Sequence, residues 1–195
     1  MRWFFILLIL AMAAWFWSRR PVSHSDGVMI SSAPIQTTFL GSQEGTQREG
    51  FHLRPLAGTI LEGRVLRTKK YHSGPTARLA PYDVGLGWKK MSDSAVLRQL
   101  KFSQSNRFLF WKYQNPPPLP PEQIVREATN CHLIAATPEI AREIAWLRVG
   151  ELIRIEGCLV EAIGPGGYLW TSSTRRDDTG NGACEIIWVS RLTKI

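Results

Sequence analysis

Cys184 is the residue in this sequence best suited to act as a nucleophile. It closes a dense polar segment, Ser172 to Gly182, and Glu185 follows it. A thiol attacks as the thiolate, so it needs a neighbouring base or a positive field. His132 and His72 are the candidate bases, yet their spacing brings neither imidazole to the sulfur. Strand alternation sets Cys184 on one face with Ile186 and Trp188, which suits a packed or disulfide-linked cysteine better than a catalytic one. Cys158 is its candidate disulfide partner, while Cys131, Cys158 and Cys184 as three buried apolar groups is the alternative. No CxxC pair exists among the three cysteines, so zinc-ribbon and thioredoxin-like readings lose their support. His52, His72 and His132 with a cysteine or Asp177 would have to ligate zinc from four separate segments. Neither a metal nor a cofactor is expected.

The polar segment itself is a candidate binding loop, with Arg175, Arg176, Asp177, Asp178 and Asn181 as the groups that would touch a partner. Its carboxylates could hold a cation and its glycine-backed amides an anion. The spacing does not fit a calcium loop, which places oxygen ligands at alternate positions and a glutamate at the twelfth. The other reading is an ordered hairpin loop in which Asp and Asn bond local backbone.

The elements that must position these groups are legible mainly in the last third of the chain. From Glu151 to Ile163 the polar positions change parity at Gly157, as a bulged strand would require, with Ile153 and Ile155 inward before it and Cys158, Val160 and Ala162 after it. Gly164 to Gly167 turns the chain into a strand at Tyr168 to Ser173, and Cys184 to Leu192 reads as another. Upstream, Thr137-Pro138 starts a helix whose buried side is Ile140, Ile144 and Leu147, ended by Gly150. Thr59 to Arg67, Arg107 to Tyr113 and Asn130 to Ala136 read as strands, with Gly63 as a candidate bulge, and Pro81 to Trp88 as a glycine-spaced loop. Ser92 is expected to cap a short helix, and Pro116 to Pro121 to serve as a stiff connector into a helix near Glu122. A long bent strand followed by a meander is how small barrels turn corners. The expected fold is therefore α+β, a small OB-like or related β-barrel or meander with short peripheral helices.

Before that domain comes an unbroken apolar run, Trp3 to Trp17, between Arg2 and Arg19-Arg20. As a helix, its fifteen residues rise about 22 Å against roughly 30 Å of hydrocarbon. Tryptophans at both ends suit headgroup depth, and Ala11-Met12-Ala13 is a poor cleavage site because Trp15, Phe16 and Trp17 follow it. The expectation is an N-terminal transmembrane helix, a single-pass signal anchor over 1–20. A flexible Ser-, Gly-, Thr- and Pro-rich tether follows over 21–50, and one β-rich domain over 51–195. Terminal charges hardly discriminate orientation, and export to the periplasmic side is favoured.

Net charge is +8, with 44% hydrophobic and 21% charged residues, the balance of a folded protein rather than a disordered one. The cations are scattered (Arg64, Arg67, Lys69, Lys70, Lys89, Lys90, Arg175, Arg176), which suits a membrane-proximal surface better than a nucleic-acid groove. Phe108, Phe110, Trp111, Tyr168 and Trp170 are the aromatics that could stack on single strands, and core packing is the simpler use for them.

Three runs, Ala80 to Trp88, Phe102 to Phe108 and Arg176 to Glu185, together with the apolar start and Arg19-Arg20-Pro21, resemble a family of uncharacterised bacterial membrane-anchored proteins with no assigned activity. The resemblance implies a bacterial inner-membrane protein and no chemistry. The expected function is a non-enzymatic binding or scaffolding domain presented at the bilayer, with a membrane or envelope protein as partner and no nucleic acid if exported. The alternatives are a membrane-tethered thiol enzyme or hydrolase using Cys184 with His132, and a cytoplasm-facing OB-like nucleic-acid binder.

Overall fold

The computed structural model describes residues 2–38, 44–175 and 184–195. It is an α+β protein, a large mixed β-sheet with a few short helices. In chain order the elements are α1 (Arg2–Ser18), β1 (Ile35–Thr37), β2 (Thr46–Arg48), β3 (Phe51–Lys70), β4 (Tyr82–Gly87), α2 (Ser94–Leu97), β5 (Leu100–Ser105), β6 (Phe108–Tyr113), α3 (Pro121–Arg126), β7 (Ala128–Ala135), α4 (Pro138–Ala145), β8 (Leu152–Ile163), β9 (Leu169–Thr171) and β10 (Glu185–Lys194). Neighbours in the main sheet run β1-β3-β4-β7-β10-β8-β9, with β2 on β3 and a further pairing of β3 with β8. β7 and β10 are parallel and the other pairs antiparallel. β5 and β6 form a separate hairpin.

Apolar residues at alternate positions of five strands build the main core. Leu61 and Val65 (β3), Val84 and Leu86 (β4), Cys131 and Leu133 (β7), Ile153, Ile155 and Leu159 (β8), and Ile187 and Val189 (β10) share one cluster. α4 closes it with Ile140 and Ile144, and Leu147 follows. That helix starts as its sequence requires: Thr137 Oγ1 accepts from the Ile140 amide, and Pro138 opens the first turn.

The parity change along β8 has a different cause from a bulge in that strand. Ile153, Ile155 and Leu159 keep one inward face, while Cys158, Val160 and Ala162 are buried in a second cluster with Phe51, Leu53, Leu79 and Ile186. The strand passes from one covered face to two. The register shifts lie on its neighbours, at Leu56 of β3 and Ser190 of β10. On the β4 side, the β3 shift falls at Leu66 rather than Gly63.

The stretch expected as a loop, Pro81 to Trp88, carries strand β4 over Tyr82–Gly87. Gly85 is small because Leu109 packs against it: an added Cβ would lie 2.9 Å from the Leu109 side chain. Asp93 rather than Ser92 caps α2, accepting from the Ala95 amide at 2.9 Å. Ser92 is buried, and its hydroxyl takes the amides of Met29 and Ile30.

Two further differences concern the N-terminal fifty residues. The stretch expected as a flexible tether is docked along much of its length: β1 and β2 pair with β3, and Ile30 is buried. Among the described residues no helix is long and apolar enough to cross a membrane. α1 has 17 residues, and its side chains from Trp3 to Ser18 are all exposed.

Candidate functional site

A buried polar network lies on the sheet face opposite the main core, and strand register creates it. β4 and β7 set Asp83 directly across from His132, and Gly85 across from Asn130. Residues of one parity share a face, so Asp83, His132 and Asn130 point the same way. Asp83 Oδ1 accepts from His132 Nδ1 at 2.8 Å, and Asn130 Nδ2 donates to Asp83 Oδ2 at 3.3 Å. Asp83 and His132 are almost wholly buried.

The lid over this face is the β5–β6 hairpin. Its two-residue turn, Asn106-Arg107, has positive φ at both positions (49° and 69°), the condition for a primed turn that matches strand twist. A long side chain in that region costs roughly 1–2 kcal/mol relative to ordinary backbone, and Arg107 is held there from every side. Its amide donates to Tyr71 Oη at 3.0 Å. Nη1 donates to Asp83 Oδ1 at 2.6 Å and to the Ala80 carbonyl at 2.9 Å. Its own carbonyl accepts from Asn130 Nδ2 at 2.8 Å and from Cys184 Sγ at 3.6 Å. The guanidinium lies 4.0 Å from the Tyr71 ring and 5.6 Å from the Trp170 ring, and Trp170 is 4.8 Å from the His132 imidazole. Behind the turn, Gln104 Nε2 donates to Asn130 Oδ1 at 2.7 Å, and Lys69 Nζ donates to the Gln104 carbonyl.

Burial alone would raise the Asp83 pKa. The hydrogen bond and charge of His132, then the charge and hydrogen bond of Arg107, outweigh it, and the carboxyl sits below the ordinary carboxylate range. The Tyr71 hydroxyl is pushed up, chiefly by burial. A carboxylate on Nδ1 orients an imidazole as a base-and-orienter pair would. Cys184 shares the parity of Ile186, which pairs with His132, so thiol and imidazole lie on the same face. The described hydrogen bond from Cys184 runs from sulfur to the Arg107 carbonyl oxygen at 3.6 Å.

Of the residues singled out in the sequence, His132 and Cys184 both border this site. Cys158 does not: it pairs with Trp188, four residues along β10 from Cys184, a separation of about 13 Å at strand rise, beyond disulfide reach. Its thiol is pushed up to about 11 by burial. Arg175 folds back locally, its amide donating to Ser173 Oγ at 2.9 Å. Arg176, Asp177, Asp178 and Asn181 lie outside the described residues. His72 is exposed past the end of β3, and His52 bonds Gln47. No group of three or more metal-ligating side chains occurs among the described residues. The stacking candidates are dispersed: Trp111 and Trp170 pack against different clusters, while Phe110 and Tyr168 are exposed.

Asp83, Arg107, Asn130, Gln104 and Tyr71 carry no motif by type or spacing. The fold brings them together with Cys184 from five separate segments. Comparison of the chain with family models, curated proteins and solved structures finds no match.

Proposed function

We propose that this chain is a lipid-seated binding protein: α1 lodges in a bacterial inner membrane and the rest presents an OB-like barrel on the periplasmic side. One observation carries the reading. α1 is apolar on every face and exposed on every face, while the remaining residues build a complete core without it. An apolar surface of that extent calls for lipid or a partner to cover it. Tilt is unnecessary for so short a helix; local thinning and the flanking arginines accommodate it.

The barrel reading is supported by the pairings. β3 bonds β4, β4 bonds β7, β7 bonds β10, β10 bonds β8, and β8 bonds β3 again. A five-membered circuit with a helix between its third and fourth strands suits an OB-like topology, whose ligands meet the loops after the first and fourth strands. Here the connections after those strands both reach Arg107, one through Tyr71 and Ala80 and the other through Cys184. A non-enzymatic partner site at that end is the leading reading, and Thr174 to Gly182 is the stretch proposed to touch the partner. The shared face of Asp83, His132 and Cys184 favours a second, a thiol enzyme. Cys184→Ala separates them: a folded variant with lost cellular function favours the enzyme, and full function removes it.

Alkaline phosphatase fused after Ile195 tests the placement. Strong activity in intact cells, with the fusion retained in alkali-washed membranes, is expected. An intact but inactive fusion puts the domain in the cytoplasm and makes single-stranded nucleic acid the next ligand to assay. A fusion released by alkali overturns the lipid reading.

A further inference from the structure

The residues that follow α1 are bonded to the domain almost continuously. Arg19 Nη1 donates to the Ala145 carbonyl at 2.9 Å, and its guanidinium stacks 4.0 Å from the Trp146 ring. Arg148 Nη1 reaches the Ser18 carbonyl at 3.4 Å. The Val22 amide donates to the Val149 carbonyl at 2.8 Å, and His24 Nε2 lies 2.8 Å from the Gly150 carbonyl. Gly27, Met29 and Ile30 continue the contact through Asp93 and Ser92. The end of α1 is thereby pinned to the C-terminal end of α4.

That pinning fixes what else stands at the exit of α1. Trp146 is 49% exposed, although its helix buries Ile140 and Ile144 in the core. An indole with an apolar body and a polar tip is suited to headgroup depth. Arg19 stacks on Trp146, Arg148 two residues on reaches the Ser18 carbonyl, and Arg20, next to Arg19, lies 4.2 Å from the Trp17 ring. Neither Arg19 nor Arg20 has a carboxylate partner among the described residues. The carboxylates nearby are Glu143, exposed on α4, and Glu151, bonded to Arg148 and Lys194.

We propose that Trp146, Arg19, Arg20 and Arg148 form a footprint for the headgroups of anionic phospholipids, which holds the domain in one pose against the bilayer instead of on a swinging tether. The proposal rests on α1 lying in lipid. Trp146 enters the interface as a second anchor point, the Arg19 and Arg20 guanidiniums take lipid phosphates by charge-assisted hydrogen bonds, and Arg148, paired with Glu151, holds the Ser18 carbonyl beside them.

The test uses the full chain in nanodiscs, with lipids brominated near the headgroup as tryptophan quenchers, and compares the parent with Trp146→Phe. Loss of part of the quenchable emission in the variant is expected. Hydrogen exchange over 142–150 should be several-fold slower in phosphatidylglycerol than in phosphatidylcholine, and Arg20→Glu should reduce that difference. Unchanged quenchable emission and equal exchange in the two lipids overturn the footprint while α1 tryptophans are still quenched. Absence of all quenching overturns the lipid reading itself.

Discussion

α1 and the Arg107 site break the inside–outside rule in opposite directions. α1 turns large apolar side chains outward from Trp3 to Trp17, whereas the Arg107 site buries a carboxylate, an imidazole, two amides and part of a guanidinium. The first violation is left open by the chain and needs a surrounding medium. The second is largely closed by the chain: the Arg107 amide and Nη1 donate to Tyr71, Asp83 and Ala80, while the buried Gln104 Oε1 lacks a partner among the described residues. An exposed apolar surface therefore points outward to a partner, and a largely satisfied buried network points inward to the positioning of loops. Their costs differ too, since a buried charge loses most when one member is removed.

Asp83→Ala should give the largest effect, because it leaves Arg107 and His132 facing a void. A loss of about 3–5 kcal/mol is expected, measured as the denaturant midpoint of the full chain in detergent. If the loss is below about 1 kcal/mol, the closed-network description is wrong. Asp83→Asn sharpens the same point through pH. A carboxyl depressed in the folded state contributes stability that is complete above the unfolded value near 3.9 and is lost as pH falls through the lower folded value. The gap between parent and Asp83→Asn should thus hold from pH 7 to about 5 and close below about 4.

Next in size is Leu8→Arg, at the middle of α1. A cation at the centre of an inserted helix costs about 2.5–3.5 kcal/mol, so flotation with liposomes should drop sharply while the unfolding midpoint of the domain stays put. A midpoint that moves with it would mean α1 is packed on protein instead of lipid. Gly150→Ala is expected to be milder, about 1–3 kcal/mol. Gly150 has φ +90°, and a Cβ there would lie 1.9 Å from the Val22 carbonyl oxygen. Faster hydrogen exchange over residues 21–30, with α4 unchanged, would mark release of the pinned segment. Cys184→Ala should be smallest, within about 1 kcal/mol, since the Arg107 carbonyl keeps its bond to Asn130.

Much of the framework was legible locally. The Thr137-Pro138 start of α4, the existence of β7, the strand face of β10 and the apolar run of α1 follow from caps and periodicity that act within a few residues. β4 was not legible, because Gly85 and Gly87 read as loop glycines until Leu109, from a distant hairpin, is seen resting on the first. The change of parity in β8 was visible, but its cause, a second layer over Cys158, Val160 and Ala162, belongs to residues elsewhere in the chain. The docking of 21–30 was hidden for the same reason: Ser92 and Asp93 receive those amides from more than sixty positions away.

By itself, the sequence determined that the chain begins with a helix no water-facing surface would favour, and that a β-rich α+β domain follows. Composition and period suffice for that, because hydrophobicity and backbone preference are properties of short windows. Only the tertiary structure decided that Asp83 meets His132 and Arg107, that Cys158 and Cys184 stand apart, and that Trp146 lies at the exit of α1. Those are matters of register and of long-range closure, where a shift of one residue would turn each side chain to the other face.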